Sequence, residues 1–178
     1  EKLKSIAKDE KIKATDEALE FIASLAEGSL RDAESLLEQV ASLSTEVDLA
    51  GVEKNLGKVG TKRVAELADL ILKANLKESL SYIASLNELG YNVADLTKEL
   101  IHYFRRVLTL KFNPDLEKEF KKEMTTKEME QLKAHSTLVK ETTHITLLRS
   151  LIRAYSDMRY SPFASIPLEV ALIEHLKA

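Results

Sequence analysis

The sequence predicts an all-α protein, and three observations carry that prediction. Apolar residues recur every three or four positions along most of the chain, as on the buried face of a helix. No segment alternates with period two for long enough to make a strand. Helix breakers are scarce, five glycines and three prolines in 178 residues, so long uninterrupted helices are expected.

Leu3, Ile6 and Ala7 mark a short amphipathic helix running to about Lys11. Thr15 caps a second, with Asp16 and Glu17 at its positive end and Leu19, Ile22, Ala23 and Ala26 facing inward, and Gly28 stops it. A third helix opens on Gly28-Ser29-Leu30-Arg31-Asp32 and runs to about Leu43. Gly28 tolerates positive φ, Ser29 is the N-cap, and Asp32 completes an S-x-x-D capping box, while Leu30, Ala33, Leu37 and Val40 are expected on one buried face. Thr45 with Asp48 reads as another box, for a helix carrying Leu49, Val52 and Leu56. Gly57 and Gly60 end that helix and mark the expected boundary between two helical units, residues 1–59 and 60–178.

The apolar spacing resumes from Thr61 as Val64, Leu67, Ala68, Ile71 and Leu72 and breaks at Asn75. Leu76, Leu80, Ile83, Leu86 and Leu89 form the next helix, ending at Gly90. Asn92 caps the longest segment, whose stripe of Val93, Leu96, Leu100, Phe104 and Val107 runs to Asn113-Pro114. Between Asp115 and Lys140, Phe120, Met124, Met129 and Leu132 fit one or two short helices, with Thr125 and Glu128 boxing the second. A long helix from about Thr142 to Arg159 is expected to bury Ile145, Leu148, Ile152 and Tyr155, and Pro162 ends it. Pro167 is expected to open the last helix at its first position, where its missing amide costs nothing.

Composition narrows the function classes. A chain of this length can bury about 70% of the surface it exposes when unfolded. Charged residues make up 31% of it and no apolar run reaches membrane-spanning length, so a soluble helical protein in the cytoplasm is expected, with no membrane association. Without cysteine there is neither a disulfide nor cysteine-ligated zinc. The net charge is −3 and the lysines are interspersed with acids, so no direct nucleic-acid binding is expected of these residues. The sequence opens at Glu1 inside a helical pattern, without an initiator methionine or signal peptide, and is expected to be an excised piece of a longer protein.

The chemistry-bearing stretch is the start of the third helix. Ser29 caps it and Arg31 stands in its first turn beside the free amides, so a phosphate placed there would meet both the positive end of the helix dipole and a planar guanidinium fork. The same pattern also begins many helices whose first-turn arginine only meets water.

Gly28-Ser29-Leu30-Arg31-Asp32-Ala33, followed by Ser35-Leu36-Leu37-Glu38-Gln39, resembles the sensor-2 segment in the lid of the bacterial DNA polymerase III tau/gamma subunit, the AAA+ motor of the sliding-clamp loader. Leu3, Ile6, Ala7, Glu10, Ile12, Ala18-Leu19, Ile22-Ala23 and Ala26 are similar to the two family helices before that motif. Val52-Glu53 and Leu56-Gly57 resemble its end-of-lid segment, and Pro167 to Ile173 its last collar helix. Glu34 stands where the family pattern has an apolar residue, and Glu38 where it has aspartate.

The resemblance implies an AAA+ lid over residues 1–59 and a helical-bundle collar over 60–178. It makes Arg31, with Ser29 beside it, the sensor of ATP held on a preceding AAA+ domain outside this sequence. It implies other clamp-loader subunits as partners through the collar, with the sliding clamp and primer-template DNA in the full assembly. The sequence has no Gly-x-x-x-x-Gly-Lys-Ser/Thr loop, so these residues are not expected to bind or hydrolyse ATP alone. Arg105, Arg106, Arg149 and Arg153 mark the exposed sides of the long collar helices, and self-association, if any, is expected through the collar. The alternative is a generic helical interaction adaptor with no nucleotide link.

A metal enzyme has one pattern in its favour. Glu99-x-x-His102 and Glu141-x-x-His144 have the E-x-x-H spacing of di-iron helical bundles. On a helical wheel, however, His102 falls about 150° from its helix's apolar face, which leaves one inward pair, too few ligands for two metals. His144 is expected to be a half-buried histidine with a hydrogen-bond partner. No catalytic or metal-binding residue is therefore assigned.

Overall fold

Amphipathic stripes of the kind described above fold only by burying their apolar sides against one another. In the computed structural model they do so in two separate units, Glu1–Gly60 and Thr61–Ala178. The structure describes residues 2–26, 28–122 and 124–177; Glu1, at which the sequence opens, lies outside them.

The first unit contains α1 (Lys2–Asp9), α2 (Asp16–Leu25), α3 (Leu30–Ala41) and α4 (Leu49–Leu56). Its core gathers Leu3 and Ala7 of α1, Leu19 and Ile22 of α2, Leu37 and Val40 of α3, and Val52 of α4. Two short strands not anticipated from sequence, β1 (Lys13–Ala14) and β2 (Glu46–Val47), pair in parallel, Lys13 with Glu46 and Ala14 with Val47. A two-residue ladder has no periodicity to detect; only the tertiary approach of α2 and α4 makes it. The amide of Thr15 extends the ladder by donating to the Val47 carbonyl at 2.9 Å, and Thr15 then caps α2. The cap of α4 is Asp48, which accepts the Gly51 amide at 2.8 Å. Thr45 lies outside the helix because β2 takes the residues between them, which corrects the Thr45–Asp48 box.

The second unit is built on α7 (Val93–Phe112), whose stripe of Val93, Leu96, Leu100, Phe104 and Val107 is buried as expected. Around it pack α5 (Thr61–Leu72), α9 (Thr126–Thr137) and α10 (Glu141–Asp157), with α6 (Leu76–Glu88) and α11 (Ser165–Leu176) completing the bundle. A 3-10 turn (Pro114–Leu116) and the short α8 (Glu117–Phe120) bridge α7 to α9. The box at Thr125 forms with both of its bonds, and Glu128 also accepts the Thr61 hydroxyl at 2.8 Å, tying the start of α9 to the start of α5. Burial would raise the carboxyl of Glu128, but bonds from Thr125 and Thr61 outweigh it and hold the group below its ordinary range.

Two readings of this unit change. α10 buries His144, Leu147, Leu151 and Ala154, whereas Ile145 and Ile152 are exposed, Ile152 by half. The doublets Leu147-Leu148 and Leu151-Ile152 give this helix two apolar stripes about 100° apart, and only packing decides which turns inward. The last helix begins at Ser165, so Pro167 is its third residue rather than its first. It is still within the first turn, where no amide has an intrahelical acceptor. Among the described residues no helix is long and apolar enough to cross a membrane.

Candidate functional site

The start of α3 is set by its backbone. Gly28 adopts φ +91°, a conformation that a side chain would strain, and turns the chain out of α2. Ser29 follows in extended conformation and its hydroxyl accepts the Asp32 amide at 3.3 Å, while its carbonyl accepts the Ala33 amide at 3.1 Å. Ser29 is thus the N-cap. The reciprocal half of the capping box is not made, because the Ser29 amide is already donated to the Ala26 carbonyl at 2.8 Å. Asp32 therefore acts only as an exposed negative charge in the first turn.

Arg31 stands on that first turn, exposed, and among the described residues its guanidinium has neither an ion pair nor a hydrogen bond. Its carbonyl accepts the Ser35 hydroxyl at 3.0 Å, an ordinary bond of the helix interior. The amides of Leu30 and Arg31 remain without an acceptor among the described residues, so the free donors and the guanidinium share one end of a twelve-residue helix. Leu30, expected on the buried face, is 40% exposed, because as the first helical residue it projects beyond the core formed by Ala33, Leu37 and Val40. Glu34 is half-buried beside that edge and Glu38 is exposed.

A residue that sequence reasoning did not single out as part of a site holds the far end of this unit. Glu53 is 1% exposed, and its carboxylate accepts the Gly60 amide at 2.9 Å. Its carbonyl accepts the Lys58 amide at 2.9 Å while Gly57, at φ +63°, donates to Lys54, the bond pattern of a Schellman C-cap. The signal lay in the order of residues, a glutamate followed by glycines four and seven positions later, but a glutamate in a helix is by default an exposed one.

The two buried histidines of the second unit, His135 and His144, are structural. His102 is exposed. His144 is buried, accepts the Lys140 amide at Nδ1 over 2.8 Å and stacks beside Phe104. His135 lies buried between helices: the Tyr103 hydroxyl meets its Nδ1 at 2.8 Å, and its Nε2 faces Asp69 at 3.4 Å. A neutral ring protonated at Nε2 satisfies both contacts. Among the described residues no group of three or more side chains is arranged to hold a metal ion.

Burial lowers both His135 and His144 below the ordinary histidine value of 6.5, and Asp69 only partly opposes this at His135. Their imidazoles bind protons less readily in the folded chain than in the unfolded one, so unfolding takes up protons and stability falls as pH drops below about 6.5. Denaturant titrations at about pH 7.5 and about pH 5.5 are expected to show lower stability in acid, with a His144→Gln variant losing less between the two than the unaltered chain. Equal pH dependence in the variant would remove His144 from this account.

The arginines marked on the long helices lie as follows: Arg105 and Arg149 are exposed, Arg106 is half-buried, and Arg153 is exposed and loosely paired with Asp157 at 3.8 Å.

Comparison with known proteins bears on both units. The family model described as DNA polymerase III clamp loader subunit, ATPase lid domain, matches residues 1–46. The one described as DNA polymerase III subunits gamma and tau domain III matches residues 47–178. Among curated relatives, DNA polymerase III subunit tau of Bacillus subtilis (strain 168) is 29% identical over 180 residues, covering 97% of this chain and 30% of that protein. Protein STICHEL of Arabidopsis thaliana is 36% identical over 99 residues, 56% of this chain and 8% of that protein. The solved structure of the Bacillus subtilis DNA clamp loader delta protein has a similar fold, with a TM-score of 0.57 at 18% identity over 98% of this chain and 54% of that one. The chain thus spans less than a third of the length of these two curated relatives. The two family models divide the chain before α4, whereas α4 packs on α2 and α3 and the boundary of the first compact unit falls along the chain after Gly60. Matched along its whole length by these two models, the chain belongs to the DNA polymerase III gamma and tau family and comprises the ATPase lid and domain III of a clamp-loader subunit.

Proposed function

We propose that Arg31 is the lid's sensor of ATP bound to a preceding AAA+ domain of the full subunit, and that residues 60–178 are the collar that assembles the clamp-loader ring. The observation that carries the reading is the state of Arg31: an exposed guanidinium without a partner among the described residues, at the free-amide end of a capped helix, in a chain of this family.

The mechanism follows from electrostatics. ATP carries more phosphate charge than ADP, and a guanidinium fork in a partly dry cleft binds that charge strongly. Contact between Arg31 and the terminal phosphate favours the lid-closed arrangement, and hydrolysis removes the contact. The core of Ile22, Leu37, Val40 and Val52 behind Arg31 makes the lid move as one body, so a local contact becomes a domain rotation. Ser29 holds the helix end and its amides in place.

The collar reading draws on apolar surface. α11 carries apolar residues on two opposite sides: Leu168, Ala171 and Leu172 face the bundle, while Ile166, Val170 and Ile173 face outward. An outward apolar stripe of this kind suits contact with other clamp-loader subunits. In the assembled ring the sliding clamp and primer-template DNA would be the substrates of the whole machine.

The test is Arg31→Ala in the full subunit, assayed for ATP-dependent clamp loading and for ring assembly. Loading is expected to fall at least about tenfold while assembly stays within about twofold, since the lost contact is to phosphate and not to a neighbouring subunit. Equal loss of both would make Arg31 a structural residue.

A further inference from the structure

The two most exposed aromatic side chains among the described residues stand three positions apart. Tyr160 is 88% exposed and Phe163 66%, both in the loop that joins α10 to α11. Single exposed apolar side chains are ordinary, whereas two rings within about 11 Å of chain make a surface. The loop that carries them is tied down. The Asp157 carbonyl accepts the amides of Tyr160 at 3.0 Å and Ser161 at 3.1 Å. The Ser161 hydroxyl donates to the Phe163 carbonyl at 2.6 Å and accepts the Phe163 amide at 3.3 Å. The backbone is thus ordered before any ligand arrives, which lowers the cost of binding one.

The neighbours of these rings decide what the surface fits. Across residues 153–164 the other exposed side chains are Arg153, Ser156, Asp157, Arg159, Pro162 and Ala164, with no exposed leucine, isoleucine, valine or methionine among the described residues. The centre of a protein contact is apolar and depleted of charge. Rings set among guanidiniums and a hydroxyl suit a single strand of nucleic acid, whose bases stack on the rings while its phosphates meet the arginines. Arg149 extends the positive side one turn back along α10 from Arg153. Arg149 and Arg159 have no ion-pair partner among the described residues, and Arg153 has only the loose contact to Asp157 at 3.8 Å. Asp157 is the single acid against these three arginines between positions 149 and 164.

We propose that the end of α10 and the loop after it bind single-stranded nucleic acid, with Tyr160 and Phe163 as stacking platforms and Arg149, Arg153 and Arg159 as phosphate contacts. This goes beyond the lid and collar assignments and rests on neither. A net charge of −3 leaves no broad basic face, so stacking supplies most of the affinity. Three arginines, at about 0.7 per phosphate on a single strand, limit the slope of log affinity against log salt to about −2. A duplex is disfavoured, because its bases already stack on one another and offer no face to a ring.

The experiment is fluorescence anisotropy of a labelled oligodeoxythymidylate of about 20 nucleotides, titrated with the full chain at several salt concentrations. Binding is expected with a Kd between about 1 and 100 µM at low salt, and at least about tenfold weaker for a duplex of the same length. Tyr160→Ala with Phe163→Ala is expected to weaken binding of the single strand at least about tenfold, and Tyr160→Trp, which keeps a ring, to stay within about threefold of the unaltered chain. Arg153→Ser with Arg159→Ser is expected to make the salt slope shallower by about 1.4. The rings are exposed, so circular dichroism of these variants should match the unaltered chain, and the tryptophan variant tests stacking without emptying the site. An unaltered chain that does not bind the single strand by about 100 µM, a double alanine variant less than tenfold weaker, or a duplex bound as tightly would each overturn the proposal. The lid and collar assignments are judged separately, by clamp loading and by assembly with the other clamp-loader subunits.

Discussion

Glu53→Ala is expected to lower the stability of the unit Glu1–Gly60 by about 2–4 kcal/mol, because it leaves a buried amide without an acceptor and opens a cavity at the same time. Gly60 is itself buried, so its amide, now served by Glu53 at 2.9 Å, finds no water in exchange. Gly60→Ala attacks the same contact from the other side, since a Cβ there would lie 2.6 Å from the carboxylate oxygen. The two substitutions share one interaction, and the double variant should lose less than the sum of the singles. Thermal unfolding of the four proteins measures this directly. Full additivity would show that Glu53 and Gly60 act independently, and loss below about 1 kcal/mol in Glu53→Ala would show that the carboxylate is not holding the segment that ends the first unit.

Arg31→Ala is expected to behave in the opposite way, with a large effect on nucleotide response and almost none on folding. The guanidinium is exposed and makes no bond among the described residues, so its removal should change the stability of this chain by no more than about 0.5 kcal/mol. In the full subunit, losing a charge-assisted contact of about 1.5–3 kcal/mol to phosphate corresponds to roughly a tenfold to hundredfold weaker response to ATP. Arg31→Lys keeps the charge but not the planar fork, and should recover only part of that loss. A destabilised chain would place the effect of Arg31 in the fold instead.

Much of the architecture was legible because it rests on periodicity. The stripes of α5 and α7 were read residue by residue, since each of those helices has a single apolar face. The caps at Thr15, Ser29, Asn92 and Thr125 were legible because capping needs a particular side chain at a particular offset. Failures came where two local answers were equally good. α10 carries paired apolar residues and so two candidate faces, and only packing against the rest of the bundle decides which one turns inward. Thr45 and Asp48 both resemble caps, and the choice between them was made by a two-residue ladder with a strand more than thirty residues earlier. At the site, the position and exposure of Arg31 follow from its place in the first turn, whereas Glu53 could not be recognised, because a charged residue becomes a core residue only through the amides that fold back onto it.

The central claim is that Arg31 reads the terminal phosphate, and the most direct measurement is the ratio of affinities for ATP and ADP in the full subunit, with arginine and with alanine at position 31. The account predicts that Arg31→Ala weakens ATP binding about tenfold or more and leaves ADP binding within about twofold, collapsing the ratio. Equal weakening of both nucleotides, or no weakening of either, would contradict it.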